Sequence, residues 1–299
     1  MPPKLVILLS CLICHTYAHE SPSHSIELLD QHIEESPTPA LLFQRAMAYK
    51  ALGKMNHAAA DLTLALKEQP NQLEWLLEHC HIEFARNRAD SALRTANKCL
   101  KLAKENNQRA DIHILRAQAH QLNGKPKPSL HACQLAFKEV PDGKINWFLL
   151  RAENQYLLGL HKERIHGLKA GLKIYPETIL KPHYVDALID VGQYKHALTI
   201  IEKELPSLRW QAHWQVKKAQ VLIALNRQKE AQVSLQGALQ EINQRLNPSQ
   251  PDILLLADRA HTELLMGKKA ESQATLLQLR KHRAPSWLIS RIQVQLADK

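Results

Sequence analysis

Glycine is scarce in this chain, nine residues in 299, and aromatic residues make up only 5%. The sequence contains no glycine-rich phosphate loop, no nucleophile elbow and no His-Glu-x-x-His zinc motif, so the familiar signatures of nucleotide, acyl-transfer and metalloprotease chemistry are missing. No strand-like alternation of apolar and polar residues stands out. The one marked apolar run, Leu5 to Cys14, is too short to span a bilayer comfortably. What is present is abundant alanine and leucine, the composition of tightly packed helices.

The few glycines are not scattered. Gly53, Gly124, Gly159, Gly192 and Gly267, with Asn87 and Asn226, form a series spaced 34, 37, 35, 33, 34 and 41 residues apart. A period near 34 built from paired helices predicts a stack of helical hairpins. Glycine enters the left-handed conformation that often ends a helix without steric cost, and asparagine tolerates it best among the rest.

Columns of residue types run in register with these turns. Twelve positions before them stand Leu41, Trp75, Ile112, Trp147, Leu180, Trp214 and Leu255, all large and apolar. Seven before stand Ala46, Cys80, Ala117, Ala152, Val185, Ala219 and Ala260, mostly small. Five after are Ala58, Ala92, Ser129, Arg164, Ala197, Ala231 and Ser272, and nine after are Leu62, Ala96, Cys133, Leu168, Ile201, Leu235 and Leu276. Small columns let two antiparallel helices approach closely while the large ones fill the space between them. Prolines such as Pro37, Pro39, Pro70, Pro141, Pro176 and Pro251 fall at expected helix ends or starts, where they do no harm.

These residues resemble the tetratricopeptide repeat family, which places a small residue seven before the turn glycine, a tyrosine four before it, small residues five and twelve after, and proline near seventeen after. Arg45-Ala46-Met47-Ala48-Tyr49-Lys50-Ala51-Leu52-Gly53, followed by Ala58, Ala65 and Pro70, fits closely. Arg116-Ala117, Gly124, Ala136 and Pro141 match again, as do Arg151-Ala152, Gly159, Gly171 and Pro176. Arg164, Glu204, Leu279 and the pair Lys181-Pro182 depart from the pattern. The resemblance covers roughly residues 38 to 284 and implies an all-α fold, a right-handed α-solenoid of about seven tetratricopeptide-like hairpins.

The expected organisation is a signal peptide at residues 1–18, a linker and N-terminal capping helix at 19–37, the solenoid at 38–284 and a C-terminal capping helix at 285–299, with no second domain. Lys4, the apolar run after it and Thr16-Tyr17-Ala18 read as a secretory leader with its cleavage signature. Leu8-Leu9-Ser10-Cys11 loosely resembles a lipobox, although the segment before Cys11 is short. The expected location is therefore the periplasm or the secreted fraction, with a lipoprotein as the weaker reading.

Seventeen histidines suggest metal, and His79-Cys80-His81 is the most tempting run. On a helix, however, His79 and His81 point away from each other and Cys80 falls in a packing column, so no metal ligand, catalytic residue or cofactor is expected. Cys80, Cys99 and Cys133 all lie in packing columns and act first as small hydrophobes. Cys80 and Cys99 share a hairpin at unmatched heights, which argues against a bridge between them. A formal charge of +10 thickens toward Lys268-Lys269 and Arg280-Lys281-His282-Arg283. Such runs on a solenoid are usually a solvated face.

In the family the first helices turn inward, so their inner stripe lines a groove. That stripe includes the positions six and three before each turn, and it nominates Phe84, Gln118, Glu153, Tyr156, Asp186 and Gln220 as partner-binding residues. Carboxylate and amide groups beside aromatic ones suit a peptide with apolar anchors. The terminal-carboxylate clamp known in the family is not expected, because Phe43 and Met47 stand where its first members would be. The expected function is a non-enzymatic interaction scaffold of the cell envelope that binds a protein or peptide and no nucleic acid. The alternative is an accessory protein binding glycan, anionic lipid or metal. Membrane association is expected only through lipidation at Cys11 or through the basic C-terminal region.

Overall fold

The computed structural model describes residues 21–176, 179–247, 249–282, 284, 288–289 and 292–293. The expected leader, with Cys11, and most of the expected final helix lie outside the described residues. The chain forms two compact units, Met1–Leu160 and His161–Lys299. All regular structure among the described residues is helical, and none of these helices is long and apolar enough to cross a membrane.

In the first unit, α1 (Pro22–Glu35) precedes α2 (Pro39–Ala51), α3 (Met55–Glu68), α4 (Leu73–Ala85), α5 (Ala89–Leu102), α6 (Asn106–Leu122), α7 (Pro126–Glu139) and α8 (Ile145–Leu157). The second unit contains α9 (His161–Ile174), α10 (Leu180–Asp190), α11 (Tyr194–Glu204), α12 (Ala212–Ala224), α13 (Gln228–Arg245), α14 (Ile253–Leu265) and α15 (Lys269–Lys281). A short 3-10 turn, Leu205–Ser207, follows α11. Consecutive helices pair into hairpins within each unit, α2 with α3, α4 with α5 and α6 with α7 in the first, and α10 with α11, α12 with α13 and α14 with α15 in the second, and the boundary between the units follows the turn at Gly159.

All seven turns close in one way. The backbone N–H after the turn residue donates to the carbonyl four before it, as in Lys54 to Tyr49 at 2.9 Å and Arg88 to Glu83 at 2.8 Å. The same bond forms at Lys125, Leu160, Gln193, Arg227 and Lys268. This closure satisfies a helix-end carbonyl and requires a left-handed turn residue. Gly124 has φ +65°, and Asn87 and Asn226 have φ 58° and 60°.

The columns pack as their sizes require. Every residue seven before, five after and nine after a turn is buried. Of those twelve before, only Leu41 and Trp75 are half-buried. How closely the small columns meet is visible at Ser129, whose hydroxyl donates to the Ala117 carbonyl at 2.7 Å, and at Ser272, which donates to Ala260 at 2.8 Å. Cys80 uses the same two columns in reverse, its thiol donating to Ala92 at 3.4 Å. A side chain reaching the opposite backbone leaves no room for a larger residue.

The departures from the repeat are compensated. Lys181, which disturbs the start of α10, pairs with Glu204, the misfit near the end of α11, at 2.8 Å. Pro182 falls in the first turn of α10, where a missing N–H costs nothing. Arg164, buried in a small column, forms an ion pair with Asp190. At the N-terminal end α1 covers the first hairpin with Ile26 and Leu29, and Arg45 joins three helices by reaching Asp61 on α3 through two nitrogens and Asp30 on α1 through a third, each at 2.7 Å. Near the C-terminal end, Ile289 and Ile292 are buried against Leu256, Ala260, Leu264 and Leu279.

Candidate functional site

The first helices of neighbouring hairpins touch directly, and their contacts define the stripe that the repeat pattern points to. In the first unit, Phe43 of α2 stacks on Trp75 of α4, ring centroids 5.2 Å apart and planes inclined by 15°. Beside them Lys50, three before its turn, forms an ion pair with Glu78, nine before the next. Lys144 at the start of α8 reaches Asp111 of α6 at 2.6 Å. In the second unit, Lys217 of α12 pairs with Asp186 of α10, and His213 approaches Asp258 of α14 at 2.8 Å.

The six nominated residues divide between the units. Phe84, Gln118, Glu153 and Tyr156 belong to the first. Gln118 is exposed on α6, while Glu153 and Tyr156, one turn apart on α8, are half-buried. Phe84 is half-buried as well, packed against the cluster of Leu76, Cys80, Cys99 and Ile112. In the second unit Gln220 is half-buried on α12. Asp186 does not present an open carboxylate: it is 7% exposed and is engaged by the equally buried Lys217.

Two features of this stripe escape a count of the positions six and three before each turn. The residues nine before a turn lie on the same helical face one turn earlier, and they supply the opposing charges: Glu78, Lys217 and Asp258. That column was readable from the repeat. The Phe43–Trp75 stack was not, because Trp75 belongs to a column that is buried from the third hairpin onward.

The electrostatics elsewhere describe packing rather than chemistry. Burial pushes the Cys80 and Cys133 thiols up to about 12 and the Cys99 thiol to about 11, and all three are free. The His79-Cys80-His81 run is split by the helix. His79 lies 3.2 Å from Thr95 of α5, its pKa lowered by burial, whereas His81 is exposed. Among the described residues no group of three or more histidine, cysteine or acidic side chains could hold a metal ion.

No family model and no curated protein matches the sequence. Solved structures do. A tetratricopeptide repeat protein from Parabacteroides merdae aligns with 87% of this chain and 98% of its own, with a TM-score of 0.67 at 13% identity. A MamA fragment from Desulfovibrio magneticus aligns with 57% of this chain and 96% of its own, with a TM-score of 0.51 at 17% identity. Identities this low speak to architecture, and the architecture agrees with seven identically closed turns and buried columns in register. The chain has the all-α, helical-hairpin fold of these tetratricopeptide repeat structures.

Proposed function

We propose that this protein is a non-enzymatic scaffold that holds a peptide or protein partner against the first-helix face of its first unit, and that it does so in the cell envelope. The observation that carries this reading is the Phe43–Trp75 stack, half-buried, with the Lys50–Glu78 ion pair beside it. A rigid aromatic pair offers apolar area at low entropic cost, and a neighbouring charge pair can exchange partners with a ligand's own charges. Exposed Gln118, with Glu153 and Tyr156 farther along the unit, adds polar groups able to fix the register of an extended or helical segment. The leader expected in residues 1–18 supports the envelope location.

Partner pull-down from the native envelope tests this reading. Glu153→Lys combined with Tyr156→Ala, and separately Trp75→Ala, should abolish capture while helical content stays at the wild-type level. Undiminished capture by both variants would refute it. Asp186 is a poor choice for such a test, because altering a buried, paired carboxylate changes stability before it changes binding.

A further inference from the structure

The turn edge of the first unit carries a charge pattern that helix stability does not explain. Its second helices α3, α5 and α7 begin at Lys54, Arg88 and Lys125, and none of these N-cap side chains accepts a hydrogen bond from the helix. Serine, threonine, aspartate or asparagine is favoured there, and a cation faces the positive end of the helix dipole. The first turns of α3 and α7 hold no acidic residue, and α5 has only Asp90, which accepts from the Asn123 amide at 2.8 Å. Lys127 adds a further exposed cation. No salt bridge among the described residues engages Lys54, Arg88, Lys125 or Lys127.

The edge is continuous. Arg86, next to the second turn, donates to Asn56 beside the first at 3.0 Å, and Asn123 at the third turn reaches Asp90 beside the second. Between the first two turns lies a hollow of about 640 Å³ lined by Lys54, His57, Arg86 and Arg88. Of these, Arg86 is held by buried Glu83 at 2.5 Å, and the others remain toward solvent. Just before the turn residues, Leu52 and Leu122 are 36% and 46% exposed. Cations thus repeat along one edge at hairpin spacing, and exposed leucines stand before the first and third turns.

We infer that this edge docks on an anionic membrane surface, with Lys54, Arg88, Lys125 and Lys127 at the headgroup phosphates and Leu52 and Leu122 in the interfacial layer. Clustered lysine and arginine attract anionic lipid within a Debye length, and exposed apolar side chains add interfacial burial. An acidic peptide would satisfy the cations but would leave the leucines in water. This surface is separate from the first-helix face.

The full chain should co-sediment with phosphatidylcholine–phosphatidylserine vesicles in a salt-dependent manner and stay in solution with pure phosphatidylcholine. The triple variant Lys54→Gln, Arg88→Gln, Lys125→Gln should lose partitioning more than tenfold. Leu52→Ser with Leu122→Ser should lose it severalfold and keep its salt dependence. Lys268→Gln with Lys269→Gln, and Glu153→Lys with Tyr156→Ala, should leave it unchanged. Equal binding to neutral vesicles, full binding by the triple variant, loss in Lys268→Gln with Lys269→Gln instead, or capture by poly-glutamate alone would each overturn the assignment.

Discussion

Asp186 and Lys217, on the first helices of two successive hairpins in the second unit, form an ion pair in which each residue is 7% exposed. Breaking a buried pair from one side leaves an uncompensated charge, a loss of about 3–5 kcal/mol. Asp186→Lys should therefore lower the urea midpoint sharply, whereas replacing both residues by leucine and methionine should recover most of the loss. Equal stability of the single and double variants would show that the pair is not coupled.

His113 makes stability depend on pH. Burial first, then the Arg116 charge, lowers its pKa to about 4, and the Arg116 guanidinium stands 3.2 Å from its Nδ1. The neutral ring can accept that proton, and the protonated ring cannot. Because the folded pKa lies below the unfolded one, the unfolded chain binds the extra proton first. Its contribution is complete above about pH 6.5 and is lost as pH falls toward about 4, by up to ~3 kcal/mol. Denaturation followed across that window should show the loss, and His113→Gln should flatten it. An unchanged pH profile in the variant would assign the effect to other groups.

The turns and the packing columns could both be read from residue types, because each depends on local backbone conformation or side-chain size. Gly53 and Asn87, recurring at the hairpin period, mark the left-handed backbone that ends each first helix. Pairings between hairpins depend on which side chains meet across a helix–helix contact, and residue types constrain that weakly. Asp186 lies six before its turn like Gln118, yet only Asp186 finds a lysine on the first helix of the next hairpin. Arg164 and Glu204 look like faults in the repeat until Asp190 and Lys181 are seen beside them.

Left-handed turn residues are the cheapest point at which to perturb the repeat. A Cβ at Gly124 would meet nothing within 4 Å, so Gly124→Ala isolates the backbone penalty at φ +65°. The expected cost is about 1–2 kcal/mol, with Gly124→Asn costing less and Asn87→Gly neutral or stabilising. Thermal unfolding of the three variants checks the order. An alanine variant as stable as wild type would contradict the closure described for these turns.

Cys80, Cys99 and Cys133 should behave as core residues. With thiols raised to about 12 at Cys80 and Cys133 and about 11 at Cys99, and with all three side chains buried, little thiolate exists at neutral pH. Ellman's reagent should label none of them in the native protein and should label all three after denaturation. Rapid labelling of Cys80 or Cys99 in the native state would mean that the second hairpin opens locally.

Site-specific photo-cross-linking tests the central claim, that the first-helix face of the first unit holds a partner. A benzophenone amino acid at Gln118, exposed on that face, is compared with one at Leu64, which is 52% exposed on α3. A discrete cross-linked partner is expected from position 118 in the native envelope and none from position 64. Cross-links from position 64 with none from 118 would contradict it.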